Sequence, residues 1–131
     1  MDEIHLTVTI NAPITAVWKA LTDPAEIDKW EGGPAIMDEK VGSRFEFWGG
    51  EIHGTNTIVV PKKKLVQDWE YGDWPSPSTV VFELFEEGDV TRVELTQTGH
   101  PEEETKDLID GWKSFYLGAI KELLEDKQKQ P

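Results

Sequence analysis

The chain has no cysteine in its 131 residues, so neither a disulfide framework nor a thiolate metal site can form. Basic residues are scarce: 13 lysines and arginines stand against 26 aspartates and glutamates, a formal net charge of −13. Nucleic-acid binding draws on a basic footprint that displaces phosphate counterions, so this chain repels a phosphate backbone and, equally, an anionic membrane surface. Long hydrophobic runs are also missing, and no apolar stretch approaches the ~20 residues that cross a bilayer, so no membrane insertion is expected. The start, MDEIHLTVTI, is acidic and then alternates, unlike the basic and then unbroken apolar pattern of a secretion signal. A cytoplasmic location is therefore expected. What remains is a globular composition, 37% hydrophobic and 30% charged, of a length that suits one core. No repeat or linker divides the chain, so a single domain over residues 1–131 is expected, with DKQKQP at the end fraying.

Residues 4 to 10, IHLTVTI, alternate strictly and predict a half-buried strand. NAPITAVWKALTDP predicts a helix with Pro13 at its first position and Ile14, Val17, Trp18 and Leu21 on one face. Asp23 then caps a second short helix that Pro24 opens. From 34 to 98 the texture changes to short strands with turn punctuation: RFEFW, EIHGTNTIVV, LVQDWEY, STVVFELF and VTRVELTQT. Their succession predicts an antiparallel meander. The last element, HPEEETKDLIDGWKSFYLGAIKELLED, is a long helix whose apolar arc runs about 200° from Phe115 round to Leu117. An arc that wide predicts a curved sheet wrapped around it. Gly111 and Gly118 each cost roughly 1 kcal/mol there, and their spacing predicts close approach by another backbone or space beside Phe115.

In this order, INAPITAVWKALTDP, GSRFEFW, GTNTIVVPKKKLVQDWEY, TRVELTQTGHP and GWKSFYLGAIKELL resemble the helix-grip fold of START-type lipid-binding domains, polyketide cyclases and the birch-pollen allergen. The chain is similar in particular to the C-terminal domain of the heat-shock-protein-ninety ATPase activator and its stand-alone homologues. The resemblance covers nearly the whole chain and implies an α+β fold, a curved antiparallel sheet around a long C-terminal helix, with a cavity between them. Two departures bear on function. The activator's N-terminal domain, a principal contact with the chaperone, has no match in these motifs, and position 97 is glutamine where many homologues carry histidine.

Strand parity turns Phe45, Phe47, Trp69, Tyr71, Phe82 and Leu95 inward, and the helix adds Trp112, Tyr116 and Ile120. Gln67 and Gln97 interrupt these apolar rows, and Asn56 is a third candidate whose parity is ambiguous. Apolar walls with a few amides are what a small-molecule site requires, so these twelve residues form the candidate ligand site. The same amides could instead be core groups bonded to their surroundings. Catalytic patterns are thin: His5, His53 and His100 are scattered, Asp68 and Glu70 face outward, and no nucleophile elbow, phosphate loop or metal-ligand spacing occurs. No metal and no cofactor is expected. Lys62, Lys63 and Lys64 form the only basic cluster, a solvated turn or a docking point for an acidic partner. The leading expectation is non-catalytic binding of a small hydrophobic or amphipathic molecule; the second is a chaperone-associated interaction module, and the third a cyclase-like or hydrolase-like enzyme.

The charge makes one direct prediction. In a gel-mobility assay at micromolar protein and physiological salt, neither DNA nor RNA is shifted.

Overall fold

Alternating β-branched residues build the first strand, β1, over Ile4–Ile10, with both end isoleucines buried and Leu6 and Val8 half-buried between them. The computed structural model describes residues 3–129. Helices α1 (Ile14–Thr22) and α2 (Pro24–Lys29) follow. Pro13 stands just ahead of α1 in an extended conformation, one residue earlier than its expected place inside the helix. The break between the helices is local chemistry: a proline disfavours the helical conformation of the residue before it, and Asp23 is extended. Its carboxylate accepts the Ala25 N–H at 3.0 Å and caps α2.

Strands β2 (Arg44–Phe47), β3 (Ile52–Val60), β4 (Lys64–Tyr71), β5 (Ser78–Glu87) and β6 (Val90–Thr98) then run as an antiparallel meander. β1 pairs with β6, so the spatial order is β1-β6-β5-β4-β3-β2. Parity assigns the inner face correctly: Phe45, Phe47, Leu65, Trp69, Val80, Phe82, Leu84, Val93 and Leu95 are all buried. Asn56 joins them because the β3–β4 register shifts between Asn56 and Ile58, a bulge that reverses the alternation and explains the ambiguity of simple counting. Asn56 then lies opposite Gln67, Gln67 opposite Val80, and Val80 opposite Gln97, so the three amides share one row across the sheet.

The C-terminal helix is not uniform. A tight turn at Glu102–Glu104 leads into α3 (Thr105–Gly111), a π turn spans Trp112–Tyr116, and α4 runs over Leu117–Lys129. The expected fraying of the final residues falls partly outside the described residues, which end at Lys129. Within the π turn the Leu117 N–H donates to the carbonyl of Trp112, five residues back. The wider turn brings Tyr116 back over Trp112 and buries both, while Phe115 is 70% exposed. That corrects the uniform 100° wheel, which placed Phe115 on the apolar arc. Leu117, Ile120 and Leu124 continue the buried face of α4. The helix is tied to the sheet edge where Lys121 Nζ donates to the Thr9 carbonyl at 2.8 Å. Across the strand end, the Asn11 N–H donates to Glu125 Oε2 at 3.0 Å.

The two helix glycines have different reasons. A Cβ on Gly118 would lie 1.9 Å from the Lys113 carbonyl oxygen, which the π turn pushes into that space. The close backbone is therefore the helix's own and not a neighbouring segment. A Cβ on Gly111 would meet nothing within 4 Å, so no approach explains that glycine.

Opposite outcomes follow for one substitution at two sites. Gly111→Ala raises stability by about 0.4–1 kcal/mol, as expected where the helical backbone suits alanine. Gly118→Ala lowers it by ~1–3 kcal/mol through forced overpacking. Urea unfolding of the two variants beside the wild type checks both signs.

Candidate functional site

A half-open cavity of about 670 Å³ lies between the β2–β4 end of the sheet and the helix formed by α3, the π turn and α4. Its wall contains five of the six tryptophans, Trp30, Trp48, Trp69, Trp74 and Trp112, together with Tyr71, Phe115 and Tyr116. β4 supplies Trp69 and Tyr71. The π turn supplies Trp112, Phe115 and Tyr116, the residue closing α2 is Trp30, and the tight turn after β2 begins at Trp48. Trp74 comes from the β4–β5 loop.

Tyr116 is the hub of this aromatic cluster. Its ring centre lies 4.6 Å from Trp112, 4.7 Å from Trp30, 5.5 Å from Phe47 and 5.8 Å from Phe82. Trp69 and Trp112 stand almost parallel, 4.8 Å apart and inclined by 30°. Such pairs each contribute about 0.5–1.5 kcal/mol beyond simple burial. The Tyr116 hydroxyl is buried and has no hydrogen-bond partner among the described residues. Burial alone pushes this phenol far above its ordinary range, so it is neutral at every physiological pH.

The buried amides fix the orientation of two indoles. Trp69 Nε1 donates to Gln67 Oε1 at 2.8 Å, and Gln67 Nε2 donates to Asn56 Oδ1 at 2.9 Å. Asn56 Nδ2 in turn donates to Ser43 Oγ at 3.0 Å and to the Asp38 carbonyl at 3.1 Å. A second relay runs from Trp112 Nε1 to Gln97 Oε1 at 2.8 Å, then from Gln97 Nε2 to Ser78 Oγ at 3.1 Å. It ends where the Ser78 hydroxyl donates to the Thr98 carbonyl at 2.8 Å. Both relays are closed on the protein's own groups, and such networks hold a core in one arrangement. The other cavity indoles are also engaged: Trp30 donates to the Ala20 carbonyl, Trp48 to the Glu31 carbonyl and Trp74 to Glu104 Oε2.

Of the twelve residues read from sequence as the site, Trp69, Tyr71, Trp112 and Tyr116 line the cavity. Phe45, Phe47, Phe82, Leu95 and Ile120 are fully buried in the core behind that wall, and so are Asn56, Gln67 and Gln97. The amides lie behind the rings because their hydrogen bonds hold the rings in front of them. Trp30, Trp48, Trp74 and Leu108 are cavity residues that strand and helix periodicity did not reveal. Two of the neighbouring backbone positions are strained, Glu31 with φ 73° and Trp48 with φ 51°, a conformation that non-glycine residues adopt only when their surroundings enforce it.

The catalytic candidates stay apart. His5 is exposed on the outer face, where its ring bonds Thr96 and Glu94. His53 meets the Gly50 carbonyl, and His100 is buried beside the Thr105 hydroxyl. None of the three lines the cavity. Among the described residues no group of three acids or histidines is placed to hold a metal ion, and no helix is long and apolar enough to cross a membrane.

Residues 11–125 match the family model described as Activator of Hsp90 ATPase homolog 1-like protein. The chain belongs to this family. A Dictyostelium discoideum relative named as an activator of 90 kDa heat shock protein ATPase homolog is 34% identical over 89 residues, 65% of this chain and 23% of the relative. The human homolog 1 of the same activator is 23% identical, over 92% of this chain and 36% of its own length. The chain thus spans about a quarter to a third of these curated relatives. Among solved structures, an HSP90 activator from Plasmodium falciparum superposes with a TM-score of 0.87 at 25% identity, covering 94% of this chain and 96% of that one. The helix-grip architecture expected from the motifs is therefore the family's own.

Closed relays and a lone hydroxyl respond differently to deletion. Gln67→Leu strands the Trp69 N–H and the Asn56 oxygen and costs ~1–3 kcal/mol, whereas Tyr116→Phe removes a polar group without a partner and leaves stability equal or higher. Equilibrium denaturation of each variant measures the contrast.

Proposed function

We propose that this family member binds a small hydrophobic or amphipathic molecule in the cavity between sheet and helix, without transforming it. The observation that carries the reading is the aromatic wall itself. A half-open space of about 670 Å³ bounded by five tryptophans is within the range of small-molecule sites, ~300–1,000 Å³. Trp48 and Trp74, half-buried, and Phe115, exposed, stand around that opening, and apolar rings left in such a place favour an apolar guest. Rigid orientation of Trp69 and Trp112 by the buried amides supports the same reading, since a preformed wall spends little order on binding.

A second reading has its own support in the relatives, which are named as activators of the heat-shock ATPase. On that reading the chain is an interaction module that docks on the chaperone, and Phe115, exposed at the cavity mouth, is the natural contact. The two readings separate cleanly. A ligand binder responds to a filled cavity, whereas a docking surface responds to loss of the exposed ring.

Titration with an uncharged apolar probe such as 1-naphthol changes tryptophan emission saturably at one site in the wild type. Gly111→Phe places a ring at a cavity position where a side chain meets no obstacle, and it weakens that binding at least about tenfold, equivalent to ~1.4 kcal/mol. Phe115→Ser, which trims only the exposed rim of the wall, weakens it less than Gly111→Phe does. Loss of binding to purified Hsp90 on Phe115→Ser, with no saturable probe binding by the wild type, would favour the docking reading instead.

A further inference from the structure

The charged groups that line the cavity are all of one sign. Its lining includes Glu31, Glu51, Glu104, Asp107 and Glu122 and contains no lysine, arginine or histidine. The chain as a whole has 13 basic residues for 26 acidic ones, so a wall with no basic residue is more one-sided than the average composition. Beyond hydroxyls such as those of Ser114 and Tyr71, side-chain donors are taken up. All five indole N–H groups of the wall are already given to protein acceptors, to Ala20, Glu31, Gln67, Glu104 and Gln97. A carboxylate or phosphate on a ligand would find neither a positive charge nor a free indole donor there.

The acceptors, by contrast, are available. Glu31, Asp107 and Glu122 make no ion pair and no side-chain hydrogen bond with the other described residues. Among the lining residues, Glu51 chiefly, together with burial and a smaller contribution from Glu104, holds the Tyr71 phenol above its ordinary range. Indole rings attract cations through their quadrupole, most strongly where water is excluded. Nearby carboxylates reinforce that attraction, and low-dielectric walls focus it.

We infer that the cavity selects amphipathic cations, small molecules with an apolar body and a protonated or quaternary amine, over anions of the same shape. The inference rests on the cavity-binding reading above and narrows it: the apolar body meets the tryptophan wall, and the cationic centre is drawn to the carboxylates spaced along the lining, Glu31, Asp107 and Glu122. Fatty acids, which an apolar cavity alone would accept, are excluded by the same charges.

The test compares dodecyltrimethylammonium, dodecyldimethylamine oxide and dodecanoate, all below their micellar concentrations, by tryptophan emission and calorimetry at pH 8. The expected result is that the cation binds at least about tenfold more tightly than the anion, with the neutral amphiphile between them. Raising the salt narrows the gap. Overall acidity could mimic this, so two variants of equal charge change are compared. Glu31→Gln/Asp107→Asn/Glu122→Gln removes most of the preference, whereas Glu3→Gln/Glu83→Gln/Glu86→Gln, remote from the cavity, leaves it. Equal affinities for the three amphiphiles would overturn the inference while leaving the cavity reading in place. Equal loss of preference in both variants would overturn it too, by assigning the effect to long-range charge. No saturable binding of any amphiphile would overturn both.

Discussion

The carbonyl oxygen of Lys113 occupies the space that a side chain at position 118 would need, and the rest of the site depends on that one contact. Because residue 118 is glycine, the helix can widen by one residue at Trp112–Tyr116. The widened turn keeps Trp112 and Tyr116 on the same inward line, one above the other, and sends Phe115 out to the cavity mouth. In a regular helix Trp112 and Tyr116, four residues apart, would still share a face, but Phe115 would turn toward the core. π turns of this kind occur often at functional sites, and here the physical reason is visible. The turn costs helix regularity, keeps two large rings at the centre of the sheet and sends a third to the cavity mouth.

Those rings then need fixed orientations, and the sheet provides them. Asn56, Gln67 and Gln97 share one cross-strand row, and each polar atom they bury is answered by an indole, a hydroxyl, a backbone carbonyl or, between Gln67 and Asn56, the other amide. An unanswered amide in that position would cost ~1–3 kcal/mol; answered, it sets the plane of Trp69 or Trp112. Consuming the indole donors has a chemical consequence for the surface of the cavity. What faces an entering molecule is ring carbon, π density and carboxylate, so orientation within the core also determines the electrostatic character of the opening.

Much of this was legible in the chain. Alternation located β1, turn punctuation located the meander strands, the Asp23–Pro24 pair marked the break between α1 and α2, and the inward identity of Gln67 and Gln97 followed from their neighbours. The role of those amides did not follow, because their partners Trp69, Ser78 and Trp112 are fixed by strand register and by helix rotation, neither of which a single-strand pattern contains. Phe115 was misplaced because a helical wheel assumes a constant step, and the π turn breaks it. Trp30, Trp48 and Trp74 escaped for a third reason. They lie in turns and element ends, where no period applies, and are oriented by hydrogen bonds to Ala20, Glu31 and Glu104, which are 10, 17 and 30 residues away.

The central claim is that small molecules enter the tryptophan-walled cavity, and the six indole N–H signals report on it residue by residue. Trp18 is the one tryptophan outside the wall; its indole donates to the Glu39 carboxylate. In nitrogen-15 spectra of the labelled protein titrated with dodecyltrimethylammonium, the signals of Trp30, Trp48, Trp69, Trp74 and Trp112 should move saturably with one shared Kd, while Trp18 stays in place. Movement of Trp18 together with the others, or stationary cavity indoles at saturating probe, would contradict the account.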